Sequence, residues 1–333
     1  LPSEVKVLFR DLHNTYGGVA SSVRRCIAAR DWMCLRLRLL FLLRKIFGPR
    51  AFKSAATLLL GEHHYDCVIG FRPGICADLA GYSVKAKRRI TWWHHGEFYV
   101  DRVAYGAMCS KMNAVAVVSQ SCKAMLQEKL PEIESKLVCI PNMLDAVAIG
   151  QKAGNSPYTG DILHIVSVGR LAPEKHFENV FPAAKALRQA GIDFAWHVIG
   201  DGFERSKLEA LIAENDLKDH VILDGSKTNP YPYMKYADLF VHPSYVESQG
   251  LTVLEAMALG VPCVVTKSRG PCEFIEDGIN GLLTEQSPES LTEKVLSILT
   301  DKTLFQSIKE NTVCPEQFAP DRVMKQIEEL IDG

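Results

Sequence analysis

The feature that most constrains this chain is an alternation: short apolar runs recur along it, each followed by a stretch of helical period. In the first half the runs fall at residues 5–9, 67–70, 90–93, 114–118 and 137–140. Near-continuous apolar runs of strand length are what a strand buried on both faces requires, and strands alternating with helices predict a parallel sheet covered by helices. The alternation stops across residues 148–160, where Gly150, Gly154, Asn155, Ser156, Pro157 and Gly160 have linker composition. It resumes with runs at 162–168, 194–199, 221–223, 239–241, 263–265 and 281–283. The expected fold class is therefore α/β, with two Rossmann-like domains over 1–147 and 161–312 joined by the 148–160 linker. The remainder, 313–333, is expected to form a helix after Pro315 and Pro320 that crosses back to the first domain. A chain of 333 residues accommodates two domains of about 150 each. Parallel sheets hold ligands beyond the carboxyl ends of their strands, so a functional cleft is expected where the two domains face each other.

Composition excludes several classes. Hydrophobic residues make up 47% and charged residues 23% of the chain, which excludes a disordered or collagen-like protein. The apolar stretch 39–43 ends at Arg44, far short of the ~20 residues a membrane-spanning helix needs. Leu1-Pro2-Ser3 shows no secretory pattern. Ten cysteines without a Cys-x-x-Cys pair argue against a zinc site and a disulfide framework. They suit a reducing compartment, so a cytoplasmic protein is expected.

Charge is divided unequally. Residues 1–145 hold 21 Lys and Arg against 12 Asp and Glu, whereas 146–333 hold 17 against 27. Either the first half meets something anionic or the two halves attract each other. Arg36, Arg38, Arg44 and Lys45 are interleaved with leucine and phenylalanine. They suit docking on an anionic membrane surface, at the inner face, or equally a core helix whose basic ends reach solvent. No nucleic-acid partner is expected.

Two motifs in the second half carry chemistry. In Val168-Gly169-Arg170-Leu171-Ala172-Pro173-Glu174-Lys175 a strand ends in glycine and two cations follow, five positions apart. Gly169 permits close backbone approach, Arg170 can fork two hydrogen bonds onto a phosphate, and Lys175 adds a point charge. The pattern suits a diphosphate clamp; a solvated loop with ion pairs to Glu174 or Glu178 is the alternative. The second motif follows the 239–241 strand and places Glu247, Ser248, Gln249, Gly250, Leu251 and Thr252 before an apolar helix carrying Glu255. Free amides at such a helix start attract anions. A carboxylate one turn in can grip two vicinal hydroxyls, although Glu247 complementing the helix dipole and Glu255 capping a neighbour would look the same.

Arg170 with Lys175, Glu247 with Glu255, and the flanking Ala237-Asp238-Leu239-Phe240-Val241 and Ala256-Met257-Ala258-Leu259-Gly260-Val261-Pro262 resemble glycosyltransferase family 4, retaining enzymes of GT-B fold. The resemblance is densest over residues 162–283. It extends more loosely to Tyr16-Gly17-Gly18, Trp93-His94-His95-Gly96-Glu97, Val118-Ser119 and Pro141-Asn142-Met143-Leu144-Asp145. It implies that Arg170 and Lys175 hold a donor diphosphate and that Glu255 binds the nucleotide ribose. It implies further that Glu247, with the amides around Gln249, Gly250, Leu251 and Thr252, holds the donor sugar and its phosphate. Gly17 and Gly18 would approach the same phosphates, Gly169, Gly200 and Gly202 would line the donor side, and the 226–231 loop would pass near the base. His95 would contact the transferred sugar, preferred over His94 because Gly96 follows it. The family often carries glycine where this chain has His176 and an aromatic residue where it has Gln249.

The function so implied is transfer of a sugar, with retention, from a nucleotide-diphosphate sugar to a polysaccharide, glycolipid or other hydroxyl acceptor, a UDP-sugar being favoured. No cofactor and no metal are expected, since the chain lacks an Asp-x-Asp triplet. Three alternatives share the architecture. A nicotinamide enzyme would use Gly200-Asp201-Gly202, but Arg205 stands where its third glycine belongs. The others are a nucleotide-sugar epimerase or phosphorylase, and a non-catalytic partner subunit.

Overall fold

The computed structural model describes residues 19–47 and 64–333. The expected strand at 5–9, Gly17 and Gly18 lie outside the described residues. Among the described residues, helices α1 (Val19–Ala28) and α2 (Trp32–Phe47) precede a sheet of four strands ordered β1 (His64–Gly70), β2 (Lys85–Trp93), β3 (Ala114–Val117) and β4 (Leu137–Cys139). Strands β1 and β2 are parallel, with Gly70 opposite Thr91, whose hydroxyl donates to the Gly70 carbonyl at 3.1 Å. Helices α3 (Ile75–Tyr82), α4 (Arg102–Cys109) and α5 (Gln120–Lys129) connect them. Gly70 is glycine because α3 comes so near that a Cβ would lie 2.8 Å from Ala77 Cα.

The second sheet contains β5 (Leu163–Val168), β6 (Phe194–Ile199), β7 (Val221–Gly225), β8 (Leu239–His242), β9 (Cys263–Thr266) and β10 (Leu282–Thr284), in the order β10-β9-β8-β5-β6-β7. Its strands pair in parallel throughout. Strand side chains alternate between two cores: Ile165, Val198, Leu239, Val241 and Val264 enter one, and Val166, Ile199, Phe240, Cys263 and Val265 the other. The first core receives α7 (Val180–Gln189), α8 (Arg205–Glu214), α11 (Pro288–Thr300) and α12 (Lys302–Asn311). The second receives α6 (Ala146–Lys152), α9 (Tyr231–Lys235) and α10 (Leu251–Ala258). Burial on both faces explains why these strands read as unbroken apolar runs. The expectation of two Rossmann-like halves in an α/β GT-B fold is met by these two sheets.

Chain order reverses at β5: β6 lies on one side of it and β8 on the other. Such a switch point leaves a crevice beyond the carboxyl ends of the two strands, and there the Arg170 and Glu247 loops emerge.

Two differences from the sequence reading concern boundaries. Residues 148–152 of the expected linker are helical, as the end of α6, because the Asp145 carboxylate caps that helix by accepting from the Ala148 amide at 2.9 Å. The compact units also do not divide at 148–160. One unit comprises the chain up to Trp93 with Val100–Ala116 and Glu132–Lys136; the other comprises His94–Tyr99, Val117–Pro131 and Leu137–Gly333. Specific bonds draw the early segments into the second unit. Glu273 accepts from the Gln120 and Ser121 amides at 2.9 and 2.7 Å, and the Leu144 amide donates to Phe318 at 2.7 Å. The final helix is α13 (Pro320–Asp332).

Candidate active site

Within the second unit, a cavity of about 390 Å3 opens at the β5–β8 switch point. Val168, Gly169, Arg170 and Lys175 line it from the β5 side; Glu247, Ser248, Gln249, Gly250, Leu251 and Thr252 line it from the β8 side; His94 and Asn142 complete it. The two motifs, some 70 positions apart in sequence, are brought together by a lattice of short bonds. The Tyr245 amide and Ser244 hydroxyl both donate to the Glu174 carbonyl, at 3.3 and 3.2 Å. His176 stacks on Tyr245 with ring centroids 3.8 Å apart. His176 itself is left-handed, φ 47° and ψ 43°, a conformation that glycine adopts without cost and that explains glycine in the family pattern.

This lattice places the Lys175 ammonium 2.5 Å from Oε1 of Glu247, with both side chains largely buried. The same oxygen lies 2.8 Å from Nε2 of the buried His242. Burial by itself would raise the Glu247 carboxyl, but the hydrogen bonds and charges of His242 and Lys175 outweigh it and hold the group down at about 2. Glu247 is therefore a fixed carboxylate. Arg170 realises both readings of its motif: it lines the cavity while pairing with Glu174 at 2.8 Å, and that pair is exposed enough to be given up.

Helix α10 starts at Gly250, left-handed at φ 81° and ψ 52°, with no side-chain cap. A Cβ there would lie 2.6 Å from Pro271 Cγ, so glycine is required by conformation and by space. The uncapped amides of Leu251 and Thr252 are the positive end of the helix and belong to residues lining the cavity. Glu255 stands one turn further along, beyond the cavity wall proper, and accepts from Tyr231 Oη at 3.2 Å. Burial raises its carboxyl, and the Tyr231 hydroxyl offsets part of that.

Four expected site residues have other placements or engagements. Of the adjacent histidines, His94 lines the cavity and His95 does not; the His95 ring lies edge-on to Tyr99 at 4.6 Å. Gly96, which favoured His95 in the sequence, is glycine because a Cβ would lie 2.7 Å from the Glu247 carbonyl oxygen. Gly200 and Gly202 lie behind the cavity. Their Cβ positions would fall 1.8 Å from the Gly169 oxygen and 2.2 Å from the Leu171 oxygen, so the β6 exit packs backbone to backbone against the cation-bearing loop. That contact explains Gly-x-Gly here without a dinucleotide. Gln249 lines the cavity, but its amide is engaged: Oε1 accepts from Asn142 N and Nδ2 at 2.7 and 2.8 Å, and Nε2 donates to Asn142 O at 3.1 Å.

The sequence assigned no site role to His242 or Asn142; only the Pro141-Asn142 dipeptide in the resemblance pointed at the second of them. A second cavity, about 650 Å3, shares Glu247 and is lined also by Glu97, His176, Tyr245, Lys267 and Arg269. Among the described residues, no cluster of three or more His, Cys, Asp or Glu side chains is placed to hold a metal ion. No helix among them is long and apolar enough to cross a membrane.

Residues 156–313 match the family model of glycosyl transferases group 1. An uncharacterized glycosyltransferase of Methanocaldococcus jannaschii is 33% identical over 155 residues, 46% of this chain and 42% of that protein. The chain thus spans less than half the length of that relative. The N-acetyl-alpha-D-glucosaminyl L-malate synthase of Bacillus anthracis is 28% identical over 277 residues, covering 77% of this chain and 71% of the synthase. The crystal structure of the pneumococcal O-GlcNAc transferase GtfA with UDP and GlcNAc superposes with a TM-score of 0.69 at 20% identity, over 86% of this chain and 60% of that one. This last likeness shows a shared fold. Over residues 156–313 the chain is thus similar to the glycosyl transferases group 1.

Proposed function

We propose that this protein is a retaining, metal-independent glycosyltransferase of family 4 that moves a sugar from a UDP-sugar to a hydroxyl of a polysaccharide or glycolipid acceptor. One observation carries the reading: Arg170, the Lys175–Glu247 pair and the uncapped start of α10 converge on a single cavity. The two cations and the helix amides are fixed donors where a departing diphosphate gathers charge. Glu247 is the carboxylate for sugar hydroxyls, and Glu255, in the same helix as Thr252 and three positions on, suits the ribose diol. UDP is chosen because the structural relative GtfA is described with UDP. In the front-face reaction the bond from the anomeric carbon to the phosphate oxygen breaks, the acceptor oxygen bonds to that carbon from the same side, and the leaving phosphate oxygen takes the acceptor proton. The larger cavity beyond Glu247 is the acceptor's approach, and 1–147 is the acceptor-binding half.

The test is incubation with radiolabelled UDP-glucose and UDP-N-acetylglucosamine, with and without a lipid or glycan acceptor. Transfer or hydrolysis supports the transferase, release of an epimer supports an epimerase, and no binding supports a non-catalytic subunit.

A cytoplasmic protein docked on anionic lipid is the accompanying proposal. Exposed Trp32, Arg36, Leu39, Leu43 and Ile46 fall within an arc of about 80° on α2, while Arg38 is half-buried and the side chains of Arg44 and Lys45 lie outside those described. Sedimentation with phosphatidylglycerol vesicles that persists unchanged in a Trp32→Ser, Arg36→Ser variant, or that never occurs, refutes it.

A further inference from the structure

We propose that His242 is a positioning residue for sugar recognition: its ring Nε2 pins Oε1 of Glu247 and so reserves Oε2 for a hydroxyl of the transferred sugar. The inference rests on the transferase reading and deepens it. His242 ends β8, the strand beside β5 at the switch point, and is 3% exposed in a position where an apolar side chain would satisfy packing. A buried imidazole at such a place costs desolvation unless it makes a hydrogen bond that matters. Its Nε2 lies 2.8 Å from Oε1 of Glu247, with its ring nearly parallel to that of Phe240 two residues back. Because Glu247 is a carboxylate, Nε2 must carry the proton and donate. Lys175 donates to the same oxygen, and no described residue donates to Oε2.

Two donors on one oxygen settle the carboxylate's rotation. Without His242 the group could turn to meet the ammonium with both oxygens, which would hide the oxygen a sugar needs. Lys175 has three N–H bonds and spends one on Glu247, so the remaining two stay available to phosphate. His242 thus acts through Glu247 and separates two tasks: the lysine serves the diphosphate, and the free oxygen serves the sugar.

The experiment compares His242→Gln with His242→Asn. A glutamine amide nitrogen reaches the place of the ring Nε2, whereas an asparagine amide reaches only that of Nδ1, and both are polar and neutral. Calorimetry with UDP, then with UDP-glucose and UDP-N-acetylglucosamine, separates the nucleotide from the sugar. UDP affinity is expected to be the same in wild type and both variants. The extra affinity of the preferred UDP-sugar over UDP, and turnover with it, should fall by about tenfold in His242→Asn, as for one hydrogen bond to a charged group, and return in His242→Gln. A His242→Asn enzyme that keeps the sugar's increment overturns the proposal, as does equal loss in both variants, which would mean that ring shape alone matters. Wild-type protein that binds neither UDP nor UDP-sugars would sink the transferase reading itself, and this inference with it.

Discussion

Replacing Glu247 by glutamine removes one charge from the centre of the site while keeping its shape, and the cost can be worked from the surroundings. The carboxyl is held at about 2 instead of its ordinary 4.5. At about 1.4 kcal/mol per pH unit, that difference contributes about 3 kcal/mol to the stability of the native state at neutral pH. Little of it is screened, since the Lys175 and Glu247 side chains are only 19% and 13% exposed. The sign follows from the direction. A carboxyl depressed by folding contributes fully above its unfolded value and loses that contribution as pH falls through its folded value; roughly 1 kcal/mol is gone by pH 3.5. Glutamine has no such dependence. Thermal unfolding at pH 7 should therefore show Glu247→Gln melting about 6–12 °C below wild type, with the gap narrowing on acidification. Equal melting temperatures at pH 7, or a gap that widens as pH falls, would refute the argument.

Other expectations concern neighbouring contacts. Ser167→Ala orphans the buried Trp196 indole N–H, now 3.1 Å from the serine Oγ that itself donates to Val241 O at 2.7 Å, and should cost about 1–3 kcal/mol in urea unfolding. Gly200→Ala should weaken UDP binding as well as stability, because its Cβ would strike Gly169 O; Gly191→Ala, also at positive φ (+69°) but with open space around it, should leave UDP binding unchanged. Arg170→Ala should lower UDP affinity about tenfold in calorimetry and barely move the melting temperature, since its pair with Glu174 is exposed. Turnover should survive EDTA; complete loss restored by manganese would overturn the metal-free scheme.

The strands of the second sheet were legible because burial on both faces leaves a local signature, and the run at 194–199 coincides with β6. The cations and acids of the site were legible because each follows a strand end at a fixed offset. What local pattern could not carry were pairings between distant segments. Lys175 with Glu247 spans 72 positions and Asn142 with Gln249 spans 107, and neither partner's spacing names the other. The adjacent histidines show the same limit: in the sequence Gly96 favours His95 because it follows it, whereas the structure requires that glycine for backbone contact with Glu247. Helix α6 was missed because its glycine, Gly150, reads as linker, while the cap that starts it lies outside the 148–160 stretch, at Asp145.

The touching backbones at Gly169–Gly200 and Leu171–Gly202 make two connections into one mechanical part. On the proposed transferase reading, anyone refitting this protein to a different donor by grafting the 169–175 loop alone would seat a foreign contour against an unchanged partner. Exits from neighbouring strands must be exchanged together, and the natural unit of diversification is the pair.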